Sequence, residues 1–242
     1  MAIAFDASSV GDGPTTGDDV LTFSHTCTGD DGFLSVFASN WFNANEVAPT
    51  MSATYNGVAM DIINSTAAGD AAGDRHRLTT FGLEAPATGA NNVVITTAQA
   101  VLEIIGAANS YTGVDQTTPF DGATSTTALQ SADAISLNVT SAAGDLVLGG
   151  LTGYDFGGAA DGADQTPRAT NDNAGATDDI FTSDEAGAAS VTHSWTWSTS
   201  GADDYDAILV AFNINAAAGG ATVFIKMVGN NFRLAGAGGL AS

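Results

Sequence analysis

The residues that could do chemistry in this chain are few. His25, His76 and His193 are its only histidines and Cys27 its only cysteine. His25 and Cys27 are two residues apart, a spacing that puts imidazole and thiol on the same face of a β-strand, as a base beside a nucleophile would be. Nothing nearby supplies an orienting third group or a basic field to lower the thiol pKa. His25 shares its face with Leu21, Phe23 and Cys27, and His193 shares one with Val191, Trp195 and Trp197. Both faces read as core, so both imidazoles are expected as hydrogen-bonded interior groups. No catalytic residue is assigned, and an enzyme is the least favoured class.

Carboxylates are too common here to mark a glycosidase, since any fold would bring several to the required separation. Calcium is the one cofactor the sequence raises. Asp155, Asp161, Asp164, Asp172, Asp178 and Asp179 lie on one Gly-rich stretch, 153–187, which could offer the six or more oxygens a hard cation wants. The spacing fits no EF-hand, and a solvated loop is the favoured reading. Trp195 and Trp197 would make a sugar platform if they faced outward, but Thr192, Ser194 and Thr196 form the polar alternate face, so the tryptophans are expected inside. No phosphate-cradling glycine loop, zinc-ligand spacing or dinucleotide fingerprint occurs.

The elements that must carry these residues are strands. Of 27 acids 23 are Asp, and Lys+Arg number only 5, so the straight-chain residues of solvent-facing helices are scarce. Alternation of period two dominates, and no window keeps a helical period over three turns. Strands are predicted at 20–27, 33–40, 52–55, 58–63, 77–83, 92–97, 101–111, 134–140, 145–151, 189–197 and 205–214. Asn56-Gly57 predicts a type I′ hairpin, whose two central residues take positive φ. Such strands between Gly, Asp, Pro and Ser clusters predict an all-β, antiparallel, jelly-roll-like β-sandwich over residues 1–215. No internal repeat is visible, and 153–187 is expected to be a large surface excursion.

The net charge of -22 argues against a nucleic-acid partner, because a phosphate backbone would be repelled. No run of about 18 apolar residues predicts a membrane span, and no signal peptide is predicted. The lone cysteine leaves the fold to its core. Charge is unevenly distributed: residues 1–215 hold three cations against 27 acids, net -24, whereas the tail has Lys226 and Arg233 and no acid. Residues 216–242 are expected to form a linker and a C-terminal docking hairpin or arm. Val223, Phe224, Ile225, Lys226, Met227, Phe232 and Arg233 are its expected interaction residues, an apolar and basic segment suited to strand addition on an acidic neighbour.

The segments Ser24–Gly29, Thr54–Met60, Tyr111–Gln116, Ser141–Val147 and Ala188–Trp195 together resemble a group of β-sandwich virion structural proteins of tailed phages and their relatives in environmental bacteria, of decoration or fibre type. These are strand and turn motifs, so no catalytic residue is carried over. The resemblance implies a capsid decoration or cement protein at the virion surface, assembled in the host cytoplasm. It would act as a homo-oligomer, with a trimer as first expectation, and its partners would be the major capsid protein or other virion proteins. The alternative is an adhesin or carbohydrate-binding module of a fibre or cell surface, with a Ca²⁺-dependent form among its options.

Overall fold

The computed structural model describes residues 2–13, 17–43, 47–69, 75–128, 133–154, 156, 158–172, 178–197 and 207–218. Every strand pairing among them is antiparallel, and the expected all-β sandwich architecture is what forms. The alternating sequence folds as its period dictates. In β2 (Asp18–Cys27), Leu21, His25 and Cys27 are buried while Thr22, Ser24 and Thr26 are exposed. Asn56 and Gly57 take φ 50° and 76° and join β4 (Met51–Tyr55) to β5 (Val58–Ala59) in the expected hairpin.

Residues 2–112 make two sheets. One has the order β1 (Ala4–Asp12), β9 (Glu103–Thr112), β3 (Phe33–Phe42), β7 (Arg75–Glu84), β6 (Asp61–Ala68). The other has the order β2, β8 (Gly89–Val101), β4, β5. Residues 120–214 make two more. These run β10 (Phe120–Ala128), β17 (Ala207–Ile214), β12 (Leu146–Tyr154), β15 (Asp178–Ala186), β14 (Thr166–Asn171), and β11 (Ala134–Val139), β16 (Val191–Thr196), β13 (Ala160–Asp161). Matching β1 to β10, β3 to β12, β6 to β14, β7 to β15 and β9 to β17 makes the two five-stranded orders identical, and β2-β8-β4 matches β11-β16-β13. Each half is wound as a jelly roll, and the fold is a duplication.

The sheets stack in four layers, because three separate apolar clusters lie between them. Leu21, Ile95 and Tyr55 meet Leu34, Val36 and Phe81 in the first. Phe33, Phe37 and Ile105 meet Ile208, Val210 and Phe212 in the middle one, and Val147 and Leu209 meet Ile135 and Trp195 in the third. The two five-stranded sheets are inside and buried on both faces. That is why β17 reads as an unbroken apolar run, Ala207-Ile208-Leu209-Val210-Ala211-Phe212, without alternation.

The halves meet through equivalent faces. β9 touches β15 as β17 touches β7, β3 touches β15 as β12 touches β7, β1 touches β14 as β10 touches β6, and β9 touches β14 as β17 touches β6. Such exchange of partners defines an isologous, two-fold-like joint within one chain. The segments after β9 and β17 also pair across it: Val114 bridges Ala216, Asp115 N donates to Asn215 O at 2.8 Å and Ala217 N to Gly113 O at 2.9 Å.

Two expectations are thereby corrected. The sandwich architecture extends to four layers, and it contains a repeat of topology, with no repeated motif, where no repeat was visible in sequence. The stretch 153–187 is no surface excursion: it contributes β14 and β15, and Asp178 to Ser183 of β15 are buried. This strand's inward side chains are Asp178, Ile180, Thr182 and Asp184, a polar alternation that looks solvated in sequence but faces another sheet. The expected docking residues Val223, Phe224, Ile225, Lys226, Met227, Phe232 and Arg233 lie outside the described residues, as does Asp155.

Candidate functional site

All three histidines are sealed. His25 is 2% exposed, with Nδ1 2.8 Å from Ser9 Oγ and its ring edge-on to Tyr55, and burial pushes its pKa down to about 4. His193 is fully buried beneath β12, where Gly149 leaves it room, with Nε2 2.9 Å from Ser183 Oγ. Burial pushes its pKa down to about 3. Both are neutral interior groups, as their apolar faces imply. Cys27 is buried and desolvation raises its thiol pKa, the reverse of nucleophile activation. Trp195 and Trp197 are in the third core, as expected.

The remaining histidine belongs to a group that sequence reading missed. Glu103, Trp41 and His76 stand in register across β9, β3 and β7. Asp178 of the second half enters against them. Its Oδ1 lies 2.6 Å from His76 Nδ1, its Oδ2 accepts from Ser39 Oγ at 3.0 Å, and its backbone N donates to Glu103 Oε2 at 3.0 Å. The indole of Trp41 lies parallel to His76 at 6.5 Å. Serine, histidine and aspartate are all present, but the order is wrong for a nucleophile. The carboxylate stands between hydroxyl and imidazole, so Ser39 donates to Asp178 rather than to a base. Ser39, His76 and Asp178 are wholly buried. This geometry clamps one half of the molecule to the other.

At the far end of β15 a second clamp crosses the joint. Asp184 accepts two bonds from Arg168, Nε at 2.5 Å and an Nη at 2.9 Å, and one from Tyr111 Oη at 3.0 Å. The Arg168 guanidinium also lies 4.1 Å from the Phe5 ring centroid. Between the clamps, Asn109 donates to Thr182 Oγ1 at 3.1 Å. The β17 and β7 side of the joint is aromatic instead, with Phe33 and Phe37 at 6.4 and 6.0 Å from Phe212. The joint is symmetric in topology and divided in chemistry.

Of the six calcium candidates, the five that the structure describes have separate surroundings. Asp178 is held as described, and Asp179 accepts from the Phe156 backbone N at 2.8 Å. Asp161 is half-buried on β13, while Asp164 and Asp172 are exposed. Among the described residues no three His, Cys, Asp or Glu side chains are placed to hold a metal ion.

Apart from Asp18 and Asp19 at the start of β2 and the exposed Val20 and Val58, the outward rows described on the two outermost sheets are small and uncharged. On one, Thr22, Ser24, Asn92, Thr96, Ser52 and Thr54 stand in cross-strand rows; on the other, Ser136, Asn138, Thr192, Ser194 and Thr196 do. An open depression of about 450 Å³ lies beside the hairpin, lined by Thr54, Asn56, Gly57, Ala90, Asn91, Asn92 and Val94. The chain matches no protein-family model, no curated protein and no solved structure.

Proposed function

We propose that the protein is a virion structural protein, most simply a capsid decoration or cement subunit that acts as a homo-oligomer on a particle surface. The observation that carries this reading is the disposition of its side chains. Among the described residues the histidines and the cysteine are sealed, His76 in the clamp between the jelly rolls and His25, Cys27 and His193 within the halves, and the middles of the outermost sheets offer small neutral residues. An acidic body with a cationic apolar tail suits a module that stays soluble and is attached by its end. The test is mass spectrometry and immunogold microscopy on particles purified by density gradient from cultures producing the chain. Stoichiometric recovery with the particles is expected, and loss of that recovery on deleting residues 219–242. Recovery only in the particle-free supernatant would sink the proposal.

A second reading, a glycan-binding module, is favoured by the depression beside the Asn56-Gly57 hairpin. Its amide and hydroxyl groups match sugar hydroxyls, although no aromatic ring lines it. Binding on a glycan array that disappears in Asn92→Ala would select it.

A further inference from the structure

The clamp centred on Asp178 holds more acid than base. Glu103 is 1% exposed on β9, and its Oε2 is committed to the Asp178 backbone N. The carboxylate of Asp12 on β1 acts on it from the other side and raises its pKa. Neighbouring carboxyl groups favour keeping a proton on one of them, and the buried one is the costlier to ionise. Asp12 is exposed at the end of its strand and takes a bond from Asn171 Nδ2 of the second half, at 3.2 Å.

Among the described residues, the charged and titratable groups facing Glu103 are Asp12 from β1, Asp178 from β15 and, through Asp178, His76 from β7. Arg75 and Arg77 flank His76 on β7, and strand alternation turns them to the other face. Glu103 is the buried partner, and burial plus the two aspartates raise its pKa to about 8.

We propose that this cluster is a proton-sensitive latch between the two jelly rolls, closed while the carboxyl on Glu103 keeps its proton and released at its own end of the joint in mildly alkaline solution. The first and third cores, private to each half, stay folded when the latch opens. The Arg168 clamp and the aromatic side of the joint hold the halves together, so release loosens one end of an intact molecule. An ionised Glu103 would stand buried beside a second carboxylate, Asp178, which is what drives the opening.

The sign follows from linkage. The folded state binds this proton more tightly than the unfolded chain, whose glutamate titrates near 4.5. The contribution to stability is complete below that value and is lost as pH rises through about 8. The native latch itself changes near the upper value.

The test is hydrogen exchange with mass spectrometry on the full chain at about pH 7 and about pH 9.5, corrected for intrinsic exchange rates. Peptides covering 103–106 and 178–181 should lose about tenfold or more in protection at the higher pH, while 93–95 and 135–139 keep theirs. Glu103→Gln mimics the protonated carboxyl, with an acceptor for Asp178 N and a donor for Asp12, and should hold protection at both pH values. Identical profiles for wild type and Glu103→Gln would overturn the latch. If Glu103→Gln does not fold, carbon-detected NMR of the wild-type carboxyl decides: a midpoint near 8 supports the proposal, and an ordinary glutamate midpoint defeats it.

Discussion

Each histidine in this molecule has been assigned an environment rather than a reaction. His25 and His193 each touch a serine hydroxyl and are desolvated by burial, which at His25 outweighs the pull of the Asp6 carboxylate, and their folded pKa values of about 4 and about 3 lie below the usual 6.5. Between those values and 6.5 the unfolded chain binds protons that the folded chain refuses, so stability rises with pH across the window and is lost on acidification through it. The urea midpoint is expected to fall as pH drops from about 6.5 to about 4, and His193→Gln should flatten part of that fall by removing the buried base. Midpoints measured by fluorescence at several pH values check this. Glu103 slopes the other way over its own range, so the wild-type profile should peak rather than rise steadily. The sequence made the interior fate of His25 and His193 readable, since both share strand faces with large apolar residues. It did not do so for His76, whose partner Asp178 is 102 positions away and lies on a strand disguised by its polar side chains.

At the level of elements, local chemistry decided what could be read. The β4 to β5 hairpin was legible because two adjacent positions need positive φ and Asn-Gly supplies it at little cost. Gly57 sits at φ 76° with open space around its Cα, so Gly57→Ala should cost only backbone strain, about 1–2 kcal/mol, without a clash. A chemical-denaturation series should return that loss while the exchange protection of the Asp178 latch stays unchanged, since the hairpin is on an outermost sheet. The strands β10, β14 and β15 were not legible. The first is a Thr-rich edge strand, the second a short edge strand containing Pro167, and the third is buried against polar partners, so none presents the apolar alternation by which half-buried strands are recognised. The duplication was hidden for a related reason. Packing asks each half for the same strand order and the same buried faces, but the two sides of the joint use different chemistry, so little common sequence is required.

For the whole molecule the question is whether two jelly rolls behave as one cooperative unit. Their outer cores are separate, and the middle cluster, the two clamps and the paired segments after β9 and β17 couple them. Arg168 is 22% exposed and Asp184 3%, so removing the guanidinium leaves a nearly buried carboxylate whose remaining hydrogen-bond partner among the described residues is Tyr111 Oη. Arg168→Met should therefore cost about 3 kcal/mol, because an uncompensated buried charge is more damaging than the lost pair is stabilising. Arg168→Met combined with Asp184→Asn should recover much of that loss, since an amide keeps an acceptor for Tyr111 without the charge. The form of the transition carries further information. Trp41 reports on the first half and Trp195 with Trp197 on the second, so exchange protection and tryptophan emission can follow the halves separately during urea unfolding. Wild type should unfold in one transition, while Arg168→Met should split it as the coupling across the joint falls below the stability of the better-packed half. A single transition in every variant, with the double mutant no more stable than Arg168→Met, would mean that the rest of the joint, its aromatic side, the Asp178 cluster and the paired segments, unites the molecule without the Arg168 clamp.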